Sequence, residues 1–210
     1  FLDVGQGDCV LVQTPGGYTV LVDSGPDTPY DTAAAFLRNQ GISTVDLLVL
    51  THPHSDHIGE AQCILDNFRV RRIMSPFPLS ETGLKSKRAQ YLIAKASMVV
   101  RFPDKCQLDI LAPAEEASVA DAVNDNEQSL VAKVQYGESD ILLCGDAGME
   151  SEMGMIARGA DLEAEVVKIG HHGSYTAASS QFLDKVKPKY AVISVGKYNS
   201  YGHPSQDTIA

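Results

Sequence analysis

The sequence predicts an α/β fold made of two similar halves, and three observations carry that prediction. Each half holds a β-hairpin that ends on an aspartate. In each half a helix-prone segment follows, and then a short, strongly apolar strand. Each of those strands runs straight into a cluster of histidines. Strands alternating with helices make layered α/β architecture, and loops at strand ends are where such folds place their chemistry.

The first half opens with β-rich runs at residues 9–14 and 18–23 around Pro15-Gly16-Gly17, which reads as a hairpin ending on Asp23. Residues 32–40 are helix-prone and stop at Gly41, the usual place for a left-handed C-terminal cap. Residues 45–50 form a buried apolar strand leading into Thr51-His52-Pro53-His54-Ser55-Asp56-His57. A helix is expected over 59–68, a strand over 69–74, a helix over 84–96, and strands over 99–102 and 108–111. An acidic, small-residue loop spans 112–126.

The second half repeats the grammar. Residues 129–136 and 141–144, around the turn at Gly137-Glu138-Ser139, form a hairpin that delivers Asp146. A helix is expected over 149–158. A strand over 165–169 ends at Gly170-His171-His172-Gly173-Ser174, and a helix over 179–186 and a strand over 190–195 follow.

Composition bounds the function. The 210 residues are 44% apolar, enough for a core of their own, and single-domain organisation over 1–210 is expected. No run of ~18 apolar residues exists to cross a bilayer. With 27 acidic and 17 basic residues the net charge is -10, which excludes a broad basic surface for nucleic acid. An anionic substrate would need local positive charge, and bound metal ions supply it. The opening Phe1-Leu2-Asp3-Val4-Gly5-Gln6-Gly7-Asp8 has neither an initiator Met nor the features of a signal peptide, and residues 207–210 read as a helix cut short, so a fragment of a longer protein is expected. Cys9, Cys63, Cys106 and Cys144 are widely separated, as free thiols rather than a zinc or redox motif.

The six histidines fall in three places: His52, His54 and His57; His171 and His172; and His203. In His52-x-His54-x-Asp56-His57, two imidazoles two residues apart can reach one metal from a turn, while Asp56 and His57 reach a second. Asp146 would bridge the ions, and His171 or His172 would supply a further nitrogen. Imidazole with carboxylate is the ligand set of zinc, manganese or iron in hydrolytic sites. Asp23 is expected to orient the cluster by hydrogen bonds rather than to ligate.

At these residues the chain resembles the metallo-β-lactamase superfamily: Asp23 after a hairpin strand, H-x-H-x-D-H at 52–57, the later Asp146, and a final His after a strand. The resemblance implies a four-layer αββα sandwich, of mixed α+β and α/β character, with the metals in a cleft where the strand-end loops of the two halves meet. A narrower resemblance rests on the opening octapeptide, on Val166-Val167-Lys168-Ile169-Gly170-His171-His172-Gly173-Ser174, and on residues 187–196 leading to Asn199-Ser200-Tyr201-Gly202-His203-Pro204. These are similar to the C-terminal domain of the ComEC family of DNA-uptake proteins. In that family the rest of the protein is a bacterial plasma-membrane channel passing one DNA strand inward, and this domain is the expected nuclease for the other.

One departure stands out. Many superfamily members carry a metal-binding His between H-x-H-x-D-H and the bridging Asp, and here residues 124–129 hold none. His171 and His172 are expected to supply that nitrogen to the first metal, leaving His203 for the second metal or the substrate.

A binuclear zinc or manganese phosphodiesterase acting on DNA is therefore expected, with single-stranded DNA, the strand not transported, as substrate and the channel domain of the same protein as partner. Asp56 or Asp146 would orient the attacking oxygen and His203 would serve the leaving oxygen. Gly173 and Ser174 offer donors for a phosphate. Tyr198 and Tyr201 either stack bases or pack, with Asn199 beside them. Lys168 is expected at a layer interface or rim rather than at the scissile bond. Arg69 and Arg71 form either a solvated edge or a DNA rim. At net -10, tight metal-free DNA binding is not expected. The competing readings are a metallohydrolase of a small or cell-wall phosphodiester, and a non-catalytic module.

Overall fold

The computed structural model describes residues 1–115, 117 and 126–209. Residues 116 and 118–125, much of the loop expected over 112–126, lie outside the described residues, as does Ala210.

Strands β1 (Val10–Gln13) and β2 (Thr19–Val22) form the first hairpin. Its turn is closed by Thr14 N–H donating to Tyr18 O at 2.9 Å. Helix α1 (Thr32–Asn39) follows and ends as the sequence predicts. Gly41 N–H donates to Arg38 O and Ile42 N–H to Leu37 O, the paired bonds that satisfy the last carbonyls of a helix. The apolar strand splits into β3 (Thr44–Val45) and β4 (Leu47–Val49). After the His loop come α2 (Ser55–Ile58) and α3 (Ala61–Asn67) in place of one helix over 59–68.

The strand expected over 69–74 also divides. Strand β5 (Arg69–Val70) pairs with β3, and β6 (Arg72–Ser75) pairs with β4. Between them Arg71 Nη1 lies 3.1 Å from Asp46 Oδ1, so this guanidinium serves the strand junction. The helix expected over 84–96 is replaced by strand β7 (Gln90–Ile93), parallel to β6 at the sheet edge. Tyr91, Leu92 and Ile93 suit a pleated surface, and pairing with β6 decides against the helix-forming residues before them.

Strands β8 (Val99–Arg101), β9 (Gln107–Ala112), β10 (Val131–Tyr136) and β11 (Ser139–Leu143) run antiparallel. Helix α4 (Met149–Ala157), strand β12 (Val166–Lys168), helix α5 (Ser180–Val186), strand β13 (Tyr190–Val192) and helix α6 (Gln206–Ile209) complete the chain. The sheet orders are β1-β2-β4-β6-β7 and β13-β12-β11-β10-β9-β8. In each, a hairpin is followed by strands added in parallel, so β1-β2-β4-β6 corresponds to β10-β11-β12-β13.

Three cores separate four layers. The outer face of the first sheet packs on α1 and α3 through Leu37, Leu48, Ile64 and Ile73. Val20, Val22, Leu47, Val49 and Met74 of the first sheet face Leu108, Ile110, Ala132 and Leu143 of the second. Leu142 and Val167 pack on Met155, Phe182 and Val186 of α4 and α5. Strand β4 is buried along its whole length because it has layers on both faces, which is why it reads as an unbroken apolar run. Each fully buried Leu contributes about 1.5–3 kcal/mol. This is the αββα sandwich, with the strand-end loops of both sheets meeting at one rim. Among the described residues no helix is long and apolar enough to cross a membrane.

Candidate metal centre

The centre is assembled from three strand-end loops. Asp23 follows β2 with a left-handed backbone (φ 59°), a conformation that Asp tolerates better than most residues. It accepts three hydrogen bonds: from Thr51 N–H at 2.8 Å, from Thr51 Oγ1–H at 2.7 Å and from His57 Nδ1–H at 2.8 Å. Thr51 begins the His loop, so a single carboxylate fixes both the entry of that loop and the ring at its far end.

The Asp146 turn approaches through glycine. Gly145 has φ 52°, and a Cβ there would lie 2.9 Å from Thr51 Cβ, so a side chain would push the two strand-end loops apart. His171 and His172 sit in the Gly170–Gly173 turn with φ 47° and 52°. Two consecutive left-handed histidines cost about 1–3 kcal/mol each, strain of the kind found where a site dictates backbone geometry.

With Nδ1–H given to Asp23, His57 turns its Nε2, the nitrogen that would ligate once deprotonated, towards Asp146 Oδ1 at 3.2 Å and His172 Nε2 at 3.4 Å. His172 donates Nδ1–H to Ser194 O at 2.9 Å. Its own Nε2 then lies 3.2 Å from Asp56 Oδ2 and 3.5 Å from Asp146 Oδ2. His52 Nε2 is 3.7 Å from Asp146 Oδ2. His52 Nε2 and Asp146 Oδ1 are buried without a hydrogen-bond partner. Electron pairs thus converge on two overlapping groups: His52, His57 and Asp146; and Asp56, His57 and His172. Such a cluster fits divalent cations, which imidazole and carboxylate hold together. His54 lines the mouth with its ring 4.7 Å from that of His52.

Electrostatics follow the packing. Burial, which would lower His57, is outweighed by Asp146 and Asp23, which hold its pKa well above the usual histidine range. Burial would likewise raise Asp146, but His57 and His52 hold it well below the carboxylate range. Burial and the neighbouring His57 push His52 well down. Burial raises Asp23 despite His57. Asp56 is lowered, burial being outweighed by the His172 hydrogen bond and by His57.

The two neighbouring histidines are placed differently. His172 lies with Asp56 and His57 and 3.5 Å from Asp146 Oδ2. His171 stands apart, with Nε2 3.2 Å from Asn126 Nδ2 and Nδ1 3.2 Å from Thr176 Oγ1. Of the stretch at 124–129 without a metal-binding His, Asn124 and Asp125 lie outside the described residues, and Asn126 faces the cleft.

The open cleft above the cluster has a volume of ≈ 320 Å³ and is bordered by Gln6, His54, Asp56, Asn126, Tyr201 and His203, among others. Tyr201 stacks on His203 (5.7 Å, 26°), and His203 Nδ1 is buried without a hydrogen-bond partner. Burial lowers His203 below the usual histidine range. Asn199 shapes this loop: its Nδ2 donates to Gly196 O and His203 O, and its Oδ1 accepts from the N–H groups of Tyr201 and His203.

Gly173 and Ser174, expected to receive a phosphate, do not border the cleft. Gly173 O accepts from Ser205 N–H, and the buried Ser174 hydroxyl accepts from Thr176. Tyr198 is 89% exposed and also lies off the cleft, beside Lys197. Residues that sequence reasoning passed over include Gln6, Asn126, Thr51, Asp8 and Glu60. The signal for Asp8 and Gln6 was present in the opening octapeptide. Gly7 has φ 137°, and a Cβ there would stand 2.1 Å from Asp56 O, so the segment is pressed against the ligand loop.

Comparison with known proteins agrees with this geometry. The family model described as "Metallo-beta-lactamase superfamily" matches residues 2–197. "ComE operon protein 3" of Bacillus subtilis (strain 168) is 31% identical over 99% of this chain and 29% of its own length. "Competence protein ComA" of Neisseria gonorrhoeae is 31% identical over 97% of this chain and 28% of its own length. The chain therefore spans less than a third of the length of these curated relatives. Among solved structures, the metallo-beta-lactamase fold protein YhfI from Bacillus subtilis superposes with a TM-score of 0.62 at 11% identity, covering 99% of this chain and 90% of that one, which is a likeness of fold. The chain belongs to the metallo-beta-lactamase superfamily of metal-dependent hydrolases.

Proposed function

We propose that this chain is the phosphodiesterase domain of a bacterial competence protein, hydrolysing DNA with two divalent ions, zinc or manganese. The observation that carries the chemistry is the convergence of His57 Nε2, His172 Nε2, Asp56 Oδ2 and Asp146 on one another, in a cleft open to solvent. The similarity of nearly the whole chain to a competence protein supports the substrate class.

His52, His54 and Asp146 would hold one ion and Asp56, His57 and His172 the other, with Asp146 shared. When bound, the ions supply Lewis acidity at the phosphoryl oxygens and activate the attacking water. The chain's own residues do the rest. Asp23 keeps one His57 proton on Nδ1, so that Nε2 is the nitrogen left to ligate when the ring is neutral. Asp56 and Asp146 border the cleft where the attacking oxygen must be oriented. His203, aimed into the cleft and held by Asn199, serves the leaving oxygen, and Tyr201 offers an aromatic face beside it. Asn126 borders the cleft, where its side-chain amide would offer a donor to a phosphate oxygen.

The remaining length of the relatives supports a further domain in the same protein, proposed as a membrane channel that delivers the strand. At net -10 the domain depends on that delivery and on its ions for substrate attraction.

The test is incubation with end-labelled single- and double-stranded DNA, and separately with a chromogenic phosphodiester, under zinc, manganese or magnesium, with His57→Ala as control. DNA cleavage that requires a divalent ion and His57 is expected. Turnover of the chromogenic ester with intact DNA under every metal would replace this reading with a small-phosphodiester hydrolase.

A further inference from the structure

Behind the ligand cluster, on the side away from the cleft, lies a buried ion pair with no role in the site as described so far. Asp8 closes the opening segment of the first half, and Lys168 is the last residue of β12 in the second. Their side chains are 4% and 1% exposed, and Lys168 Nζ contacts Asp8 Oδ2 directly. A lysine with no access to water at the junction of two layers gives up its hydration, which a well-packed apolar side chain would not require.

Each partner also holds the loop of a different ligand. Asp8 N–H donates to Asp56 O at 3.2 Å, and Asp8 O accepts from Gly25 N–H at 2.8 Å. Lys168 Nζ donates to Gly145 O at 3.0 Å, one residue before Asp146. The pair is therefore a direct link between the Asp56 loop of the first half and the Asp146 loop of the second. Asp8 reaches the imidazoles as well, with Oδ1 3.7 Å from His172 Nδ1 and Oδ2 3.9 Å from His57 Nδ1, the ring edges opposite those that face the cluster. Asp8 Oδ1 is buried without a hydrogen-bond partner.

We propose that Asp8 and Lys168 are positioning residues that fasten the two halves together behind the metal centre and set the separation of Asp56 from Asp146, on which the binding of a second ion depends. The inference rests on the two-ion reading above. The ammonium also offsets one carboxylate among Asp8, Asp23, Asp56 and Asp146, so that Asp8 leaves the Nδ1–H of His57 to Asp23.

Manganese titration of the 210-residue chain, read by calorimetry and by the electron paramagnetic resonance of an exchange-coupled Mn(II) pair, tests it in wild type, Lys168→Met and Asp8→Asn/Lys168→Met. Wild type should bind two ions and show the coupled spectrum. Lys168→Met should keep its far-ultraviolet circular dichroism, bind one ion, weaken the second about 10–100-fold and lose the coupled spectrum. The double variant removes the unpaired buried carboxylate and should fold whether or not the single one does, again without a coupled pair. A folded double variant that binds both ions within about twofold of wild type and keeps the coupled spectrum overturns the proposal and leaves the two-ion reading standing. Wild type that binds no coupled pair overturns both. Should neither Met variant fold, Lys168→Arg decides, since it keeps the charge and moves the Gly145 contact: a weakened second ion supports the proposal, and wild-type binding overturns it.

Discussion

Asp23 Oδ2 and His57 Nδ1 lie 2.8 Å apart, both fully buried, and that contact decides which nitrogen of His57 faces the ligand cluster. Asp23→Asn keeps the shape and removes the charge and the unambiguous acceptor. The ring can then present a protonated Nε2 to Asp146, and ion affinity should fall about 10–100-fold with the fold intact. Competitive titration against a chromophoric chelator measures this, and unchanged affinity would show that Asp23 does not set the tautomer.

Ion loading should release protons. Asp146 and Asp23 hold the metal-free His57 pKa well above the histidine range, so at neutral pH an incoming ion displaces a proton from a ring that must ligate in its neutral form. Apparent affinity therefore rises with pH and levels off once the pH passes the His57 value. The sign for stability is opposite: with the folded value raised, His57 favours the metal-free fold at pH below its unfolded value, and that contribution is lost as pH rises through the folded value. Calorimetry in buffers of different ionisation enthalpy should register net proton release near pH 7, and none in His57→Ala.

Glu60 should matter to the fold and not to the ions. Its carboxylate accepts from Ala33 N–H at 2.9 Å and Ala34 N–H at 2.7 Å, satisfying donors at the start of α1 that the helix cannot pair internally. Glu60→Ala leaves them unpaired in a buried place and should cost about 1–3 kcal/mol. A lower urea midpoint with unchanged ion stoichiometry is expected, and loss of an ion would assign Glu60 a second role.

The thiols should divide by burial. Cys144 is pushed up to about 12 by burial, and Cys9 further still, whereas Cys63 is half-buried on α3. A disulfide reagent at neutral pH should modify Cys63 first in the native protein, and Cys9, Cys106 and Cys144 only on unfolding. Equal reactivity of all four would contradict the layered burial.

Much of this was readable in the sequence because it is local. The hairpins that end on Asp23 and Asp146 and the His clusters after apolar strands occupy short windows, and helix α1 announces its end at Gly41. What was not readable depends on residues distant in the chain. Residues 84–96 carry helix formers, but Gln90–Ile93 are claimed by the open edge of β6. The Ser174 hydroxyl follows a strand end as a phosphate donor would, but it is buried and does not border the cleft. Which of His171 and His172 joins the cluster follows from two left-handed backbone turns and from Ser194 O, neither of which spacing reveals. Asp8 and Lys168 meet only when the two sheets are stacked.

The proposed chemistry requires that His52, Asp56, His57, Asp146 and His172 together hold two ions. Anomalous scattering from manganese-loaded crystals tests it most directly. Two peaks about 3.5–4 Å apart, the spacing of two-metal hydrolytic sites, are expected on either side of the Asp146 carboxylate, one beside His52 and His54 and the other beside Asp56, His57 and His172. A single peak, or peaks away from Asp146, would contradict the account.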